Sequence, residues 1–434
     1  MIDKIRAARD DPEALERLFR SAANAGDRDA FTQELAKICA ENPSDRFFSA
    51  WAYRLDIRPI AQTPGGTETV DSNPRRWAIA IIVSLCLGLV YAAFVDLKLA
   101  GAWYWIGWAP AGALAVLSYL DLVDDRAERH RFYGLAALGA IGLALLTALF
   151  FWDAIGDIRI LVALHLPFLV WAAVGASVTF GHPEPARQFF GYIVKSVEVL
   201  LTACVYLSAG MIFTGLSIGI FSILGIQPPE RLLSWVAAWG IGFIPVVALA
   251  SVYESSTQPI SQGAGLGPGR ILRVVARLIL PLALGVLIVY LGFIPAHFWR
   301  PFQEREVLIV YNVTVLAMIA LLTYVVPGPD ETIRVKTSGA LRAGVLGACI
   351  LTLLLNVYAL AAMLSRTVNS GLTPNRQAGL GWNAATLLIL AILIWTLLRS
   401  KNADWRQSFS LWFGRVISLT VVWSLWVVFG LPFV

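Results

Sequence analysis

The sequence has few charged residues, few cysteines and few histidines, and each shortage excludes a class of protein. Charged residues occupy 15% of the 434 positions, against about 25% in a soluble globular domain. The four cysteines form no CxxC pair and no cluster with the four histidines, so neither a disulfide framework nor a zinc site is predicted. The sequence also lacks a nucleotide fingerprint and the HExxH and GxSxG motifs. We therefore expect no cofactor and no metal.

A signal peptide and a nucleic-acid partner are also not predicted. The amino-terminal residues are polar and charged, so no cleavable signal peptide is predicted. The formal net charge of +5 indicates no nucleic-acid partner, because cytoplasmic loops of membrane proteins are rich in Lys and Arg.

Apolar residues are in excess and make up 58% of the chain. They are gathered in runs of about 20 residues, the length at which a helix crosses a bilayer. The fold class predicted is all-α, a polytopic membrane protein with about eleven transmembrane helices. The eleven segments are 77–95, 101–120, 133–152, 158–180, 189–226, 232–253, 271–295, 306–326, 341–364, 377–398 and 409–430.

The longest apolar run is 189–226, in which only Lys195 and Glu198 carry charge. As one helix it would be about 57 Å long, whereas the hydrocarbon layer is about 30 Å thick. Part of it must tilt, break or protrude. We expect it to be the core helix around which the other segments pack.

Residues 1–58 are predicted to form a small soluble helical unit, 59–76 a linker and 77–434 the transmembrane domain. Asp11-Pro12 is a typical helix start, and apolar stripes predict three short helices. A core of this size is marginal, so the unit is expected to lean on the membrane domain or on a cytoplasmic protein partner.

Lys and Arg residues predict the orientation. With the amino terminus in the cytoplasm, fifteen of them flank the segments on the cytoplasmic side and seven on the periplasmic side. An odd number of spans then places the carboxyl terminus in the periplasm. The cytoplasmic residues are Arg75, Arg76, Arg126, Arg129, Arg131, Arg187, Arg270, Arg273, Arg277, Arg334, Lys336, Arg342, Arg399, Lys401 and Arg406; the periplasmic ones are Lys98, Arg159, Arg231, Arg300, Arg305, Arg366 and Arg376.

Charges at membrane depth are the first candidates for function, because they are costly there. Lys195 and Glu198 are three residues apart and can pair on one helix face. They form either an ion, proton or substrate site, or a structural pair whose lysine reaches the interface. His165, just before Pro167, has either a proton-linked role or a neutral ring bonded to a backbone carbonyl.

The loop 365–376 carries two arginines, Arg366 and Arg376, on the side that should have few. Thr373-Pro374 predicts a helix start, with Asn375 and Arg376 in its first turn. A helix amino terminus beside an arginine can receive an anion, and Asn356 and Tyr358 are expected to line the same cavity. The alternative is a tight turn with arginines at headgroup level.

The motif SGLTPNR at 370–376 resembles the bacterial membrane family called domain of unknown function 4153. The resemblance covers roughly residues 77–400 and is specific mainly at Gly371, Leu372, Thr373 and Arg376. It implies a multi-pass protein of the bacterial inner membrane. It implies no activity.

Two other polar groups stand out. Arg270, Arg273 and Arg277 form a basic helical face that could meet anionic lipid. Outer carboxylates near Glu304 could serve a transferase if Asp96, Asp153 or Asp157 joined them, and a solvated rim is the alternative.

Three functions follow from these patterns. The first is transport or binding of a small anionic solute or lipid. The second is a membrane scaffold or sensor that signals through its amino-terminal unit. The third is a membrane-embedded transferase acting on lipid-linked substrates, and this enzymatic role is less favoured than the other two. Membrane lipids are expected partners in each case, and no oligomeric state is predicted.

Overall fold

A computed structural model describes residues 2–9, 11–24, 28–41, 45–55, 74–96, 102–123, 128–150, 158–254, 257–262, 268–327, 335–401 and 404–433. The chain divides into two compact units, Met1–Asp71 and Ser72–Val434. This division lies within the predicted linker 59–76. The described residues form helices and turns and no β-strand, so the predicted all-α class is confirmed.

The first unit is a cluster of four short helices. Its second helix begins as predicted, because the Asp11 carboxylate accepts hydrogen bonds from the backbone N–H groups of Glu13 and Ala14 at 3.1 and 2.9 Å and so caps the free donors there. The first helix was not predicted, yet it adds the fully buried Ile5 to the core. The helices are α1 Ile2–Ala7, α2 Pro12–Asn24, α3 Arg28–Glu41 and α4 Arg46–Arg54.

Long helices build most of the second unit. Each of the first ten predicted segments overlaps one of them, whereas the last, 409–430, covers the end of α16, all of α17 and the turn that follows. Ten helices in the described residues are long and apolar enough to cross a membrane by length and composition. The third segment, in α7, has a shorter apolar stretch, Phe132–Leu143. The helices are α5 Pro74–Asp96, α6 Ala102–Val123, α7 Glu128–Phe150, α8 Arg159–Thr179, α9 Pro185–Ile223, α10 Glu230–Val252, α11 Pro268–Phe293, α12 Arg300–Gln303, α13 Arg305–Val325, α14 Val335–Ser370, α15 Pro374–Arg399, α16 Trp405–Val416 and α17 Ser418–Leu425.

The longest run folds as one continuous helix, α9, of 39 residues. Its first half is buried, with Phe190, Lys195 and Glu198 among the inward side chains. From residue 203 onward almost every side chain is exposed, and a Cβ built on Gly215 or Gly219 would meet nothing within 4 Å. The expected central role therefore belongs to the first half alone. Apolar side chains in lipid gain little from burial against other helices, which explains how the second half can stand apart.

Close backbone contacts fix the buried half of α9. A Cβ on Gly191 would lie 2.5 Å from the backbone nitrogen of Ile260, and one on Gly175 of α8 would lie 2.5 Å from the Phe189 ring. The turn Pro259–Ser261 therefore approaches α9 at backbone distance, whereas α8 packs at Gly175 against aromatic rings of α9. Neither crossing has room for a larger residue. A second tight crossing, between Gly88 of α5 and Gly242 of α10, was not predicted.

Candidate functional site

The candidate site begins at the predicted Lys195–Glu198 pair in the buried half of α9. The Lys195 ammonium donates to the Glu198 carboxylate at 3.0 Å and to the backbone carbonyl of Val252 at 3.0 Å. Only 8% of Lys195 and 5% of Glu198 are exposed. The predicted pairing is confirmed, and the Val252 bond joins α9 to the carboxyl end of α10.

Arg273, in the second turn of α11, adds a further buried cation. Its guanidinium lies 5.9 Å from the centre of the Tyr324 ring, and both side chains are within electrostatic range of Glu198. Among the described residues, Nε and Nη1 of Arg273 are buried and have no hydrogen-bond partner. Glu198 is already paired with Lys195, so Arg273 gives these three described side chains an excess of positive charge.

Two more arginines extend this positive region. Arg277 lies one turn after Arg273 on the same face of α11 and is in electrostatic range of both Arg273 and Arg406. One Arg277 nitrogen donates to the carbonyl of Pro327 at 3.0 Å, while its Nε is buried without a partner in the described part of the chain. Arg406 lies over the ring of the neighbouring Trp405, 5.5 Å from its centre.

We call Lys195, Glu198, Arg273, Arg277 and Arg406 the basic cluster. Four cations and one carboxylate leave a formal charge of +3 within this set. Its members come from the early turns of α9, α11 and α16, which begin at the same face of the membrane unit, the predicted cytoplasmic face. Such a charge favours anions over cations.

Polar contacts hold the helices around the cluster. Gln188 of α9 donates to Gln258 at 2.9 Å and accepts from the backbone nitrogen of Ile260 at 3.2 Å. Two turns further along α9, the Trp171 indole donates to Ser196 at 2.9 Å. The cluster is therefore mounted on fixed helices, as a binding site requires.

A contrasting arginine lies at the same face. Arg76 of α5 donates to Tyr119 at 3.1 Å, to Glu254 at 3.1 Å and to the carbonyl of Ala250 at 3.0 Å, and it also bonds the Tyr253 carbonyl. These contacts join α5, α6 and the end of α10. The protein thus surrounds this buried guanidinium with acceptors.

The predicted outer loop has a different geometry. The Thr373 hydroxyl accepts from the Arg376 backbone N–H at 3.4 Å, so the predicted helix start at Pro374 is confirmed. The Arg376 guanidinium donates to the carbonyls of Ser370 and Gly371 at 2.9 and 2.6 Å. It thereby satisfies the carboxyl end of α14, where Gly371 turns the chain with a φ of +80°.

The other residues predicted to form the outer anion site are spread along α14 and the start of α15. Asn375 is exposed and Arg366 is half-buried, with Nη1 unpartnered among the described atoms. Asn356 lies fourteen residues before Ser370 on the continuous helix α14, or about 21 Å. The structure therefore does not bring Asn356 to the loop, and anion binding there stays a prediction.

Asn356 and Tyr358 have local roles instead. The Asn356 amide donates to the carbonyl of Asn383 at 2.9 Å, which joins α14 to α15. Its Oδ1, like the hydroxyl of Thr352 one turn earlier, is buried without a partner among the described residues. The Tyr358 hydroxyl donates to the Phe298 carbonyl at 2.7 Å, inside a group of aromatic rings that includes Tyr311.

His165 bonds a backbone carbonyl, as one interpretation predicted, but not the Ala163 carbonyl that Pro167 was expected to free. Its Nδ1 lies 2.8 Å from the carbonyl oxygen of Leu161, and its ring meets Trp382 edge to face at 6.0 Å. A carbonyl only accepts, so Nδ1 carries a hydrogen. The acceptor is the carbonyl four residues earlier in its own helix.

The outer carboxylates are not gathered into a site in the described part of the chain. Glu304 pairs with Arg300 at 3.2 Å, and both are exposed. Asp153, Asp157 and the side chain of Asp96 lie outside the described residues. Within the residues searched, no group of three His, Cys, Asp or Glu side chains could hold a metal ion.

No family model, curated protein or solved structure matches this chain. The sequence reasoning identified the Lys195–Glu198 pair and the basic face of α11. It did not join Arg406 to them, since 129 positions separate Arg277 from Arg406. The usable signal was the i, i+4 spacing of Arg273 and Arg277 inside an apolar segment.

Proposed function

We propose that this polytopic membrane protein handles a small anionic solute or lipid, by binding or by transport, at its predicted cytoplasmic face. The basic cluster supports the proposal, with a buried carboxylate that is already paired and cations in excess. A buried unpaired charge costs several kcal/mol, on the order of 3–5. An anion bound beside Arg273 would offset that cost.

One observation carries this function, namely the buried Arg273 guanidinium, two nitrogens of which have no partner among the described residues, beside a closed ion pair. An arginine that served only to hold helices together would have its acceptors nearby, as Arg76 has. The same observation favours anion handling over cation handling, because a cation would meet net repulsion.

The proposal is tested by the melting temperature of the full chain in zwitterionic detergent. Small anions, namely phosphate, sulfate and citrate, are compared with chloride at equal ionic strength, and anionic with zwitterionic lipid. We expect at least one anion or anionic lipid to raise the melting temperature. The proposal is wrong if every anion behaves like chloride and anionic lipid like zwitterionic lipid.

The proposed location is the bacterial inner membrane, with the amino terminus in the cytoplasm and the carboxyl terminus in the periplasm. The Lys and Arg asymmetry supports the orientation, and the SGLTPNR resemblance to domain of unknown function 4153 supports the bacterial origin. Labelling of single cysteines placed at residues 2 and 433 in whole cells tests it. Both ends reacting from one side would overturn it.

The scaffold or sensor function remains as a second proposal, since Met1–Asp71 forms a compact unit of its own with a separate core. In this role the unit would engage a cytoplasmic protein. Removal of residues 1–55 tests the role in cells: a phenotype lost while the membrane domain still accumulates supports it, and an unchanged phenotype excludes it.

A further inference from the structure

Three arginine side chains of the basic cluster, Arg273, Arg277 and Arg406, lie within electrostatic range as a chain of neighbours. We infer that they form a binding site for a phosphate group, carried either by free phosphate or by a lipid headgroup. This inference rests on the proposed function and specifies its ligand.

Burial and lack of partners distinguish this site from a solvated basic surface. Arg273 is only 6% exposed, and its Nε and Nη1 have no hydrogen-bond partner among the described residues. Arg277 has one nitrogen bonded to Pro327 and a buried Nε without a partner there. Buried donors are almost always paired in native proteins, so these nitrogens need an acceptor from outside the described part of the chain.

Two other arginines at this face have acceptors within the protein. Arg76, also 6% exposed, reaches a carboxylate, a phenol and backbone carbonyls. The half-buried Arg342 donates to the carbonyls of Leu397 and Ser400 at 2.5 and 2.8 Å. Contacts of this kind, which position helices, do not account for Nε and Nη1 of Arg273 among the described residues.

Phosphate fits better than a carboxylate because of its charge and its number of acceptors. A phosphate monoester carries up to two negative charges and three strong acceptor oxygens, and guanidinium groups match that geometry. Two arginines at i, i+4 on α11 can address different oxygens of one group, and Arg406 of α16 adds positive charge beside them. Glu198 does not compete, because Lys195 holds it at 3.0 Å.

The position suits both sources of phosphate. Arg273 is the sixth residue of α11 and Arg406 the second of α16, so the site lies near the predicted membrane surface. Lipid headgroups and dissolved phosphate both reach that depth, and basic residues there are typical of headgroup binding.

The test uses the full chain in nanodiscs of phosphatidylcholine. Inorganic phosphate is titrated against chloride at constant ionic strength, and separate nanodiscs contain phosphatidic acid; the readout is the melting temperature. For wild type we expect a saturable rise with at least one of the two. For R273Q we expect an apparent affinity at least tenfold weaker, and R277Q serves as a second variant should R273Q fail to fold.

Arg399 provides the matched control. It is an exposed arginine at the same face, stacked on Trp395 at 5.0 Å, and R399Q removes the same charge. We expect R399Q to bind phosphate or phosphatidic acid as wild type does. A rise with phosphate in pure phosphatidylcholine identifies the free anion, and a rise only with phosphatidic acid identifies the lipid.

Several outcomes would overturn the inference. Unchanged binding in both R273Q and R277Q, or an equal loss in R399Q, would show that these arginines form no specific site. A rise with citrate but not with either phosphate source would overturn the phosphate assignment and leave the proposed function standing. If no anion and no anionic lipid raises the melting temperature, both the phosphate assignment and the proposed function are wrong.

The chain's own carboxylates provide one more variant for the phosphate-binding test. Asp330 and Glu331 follow Pro327 closely in the sequence and lie outside the described residues. If a D330N/E331Q variant binds phosphate and wild type does not, the arginines are neutralised internally and the inference is wrong. Equal binding by wild type and this variant supports it.

Discussion

Arg76 and Arg273 are equally buried, at 6% exposure each, yet their surroundings differ. Arg76 of α5 has acceptors on α6 and at the end of α10 and so joins these three helices. Arg273 has a neighbouring carboxylate that another cation holds, and two nitrogens without a partner among the described residues. Burial alone therefore does not identify a functional charge, whereas the supply of acceptors separates a structural arginine from a candidate ligand-binding one.

The largest effect is expected from Arg76→Met. The substitution removes charge-assisted hydrogen bonds to the Tyr119 hydroxyl and to the carbonyls of Ala250 and Tyr253. It should lower the free energy of unfolding by about 4 kcal/mol, because each such bond contributes about 1.5–3 kcal/mol. Arg273→Met in ligand-free protein should cost little or stabilise, because two nitrogens of this buried cation have no partner among the described residues. Unfolding in mixed micelles measures the free energy of unfolding of both variants. Equal losses in the two would show that the two arginines do not differ in their supply of acceptors.

The Lys195–Glu198 pair should show strong coupling. Lys195→Met leaves a buried carboxylate and should cost about 3 kcal/mol, whereas Lys195→Met combined with Glu198→Gln should cost much less. The same unfolding assay gives the coupling energy of the double-mutant cycle. Simple additivity would mean that the two charges are independently solvated.

A smaller effect is expected at the outer loop. Arg376→Ala removes the donor to the carbonyls of Ser370 and Gly371 and should cost about 2 kcal/mol for a charge-assisted contact. Arg366→Ala, which removes no recorded backbone contact, is the control. If Arg376→Ala is neutral but weakens anion binding, the outer loop is a ligand site after all.

Threonines in α14 and α15 extend the comparison to neutral groups. The Thr386 hydroxyl donates to the Trp382 carbonyl at 2.8 Å, whereas the buried Thr352 hydroxyl has no partner among the described residues. Thr386→Val should therefore cost about 1 kcal/mol, and Thr352→Val should be neutral or stabilising within about 0.5 kcal/mol. The reverse order would show that Thr352 has an acceptor.

The smallest effect concerns the amino-terminal unit. Burial, reinforced by the nearby Asp45 carboxylate, raises the pKa of the Cys39 thiol, and the thiol lies 3.4 Å from the Phe48 carbonyl. A raised pKa keeps the thiol protonated in the folded state, so stability from this group is lost as pH rises above the unfolded pKa. Maleimide labelling at mildly alkaline pH should be slower than in urea, and equal rates would show that the thiol is accessible.

Much of the fold was predictable because its causes are local. The apolar runs specified the helices, Asp11 specified the start of α2, and the three-residue spacing of Lys195 and Glu198 specified their pairing. Each depends on residues within one or two helical turns. The exposure of the second half of α9 was not predictable, since an uncharged apolar stretch suits both contact with lipid and packing against other helices.

The candidate site was predictable only in part, for the same reason. The basic face of α11 is visible in the spacing of Arg273 and Arg277, but nothing local indicates that α16 brings Arg406 to it. The outer loop shows the opposite case. Its motif predicted the helix start correctly, while the Arg376 guanidinium turned to the end of its own preceding helix.

By itself, the sequence determined that this chain is an all-α polytopic membrane protein with a small helical unit before it, because hydrophobic length and helix capping are properties of neighbouring residues. Only the tertiary structure decided which buried charges have acceptors, because the acceptors of Arg76 come from positions 43 to 178 residues away. For Nε and Nη1 of the equally buried Arg273, the described residues supply no acceptor.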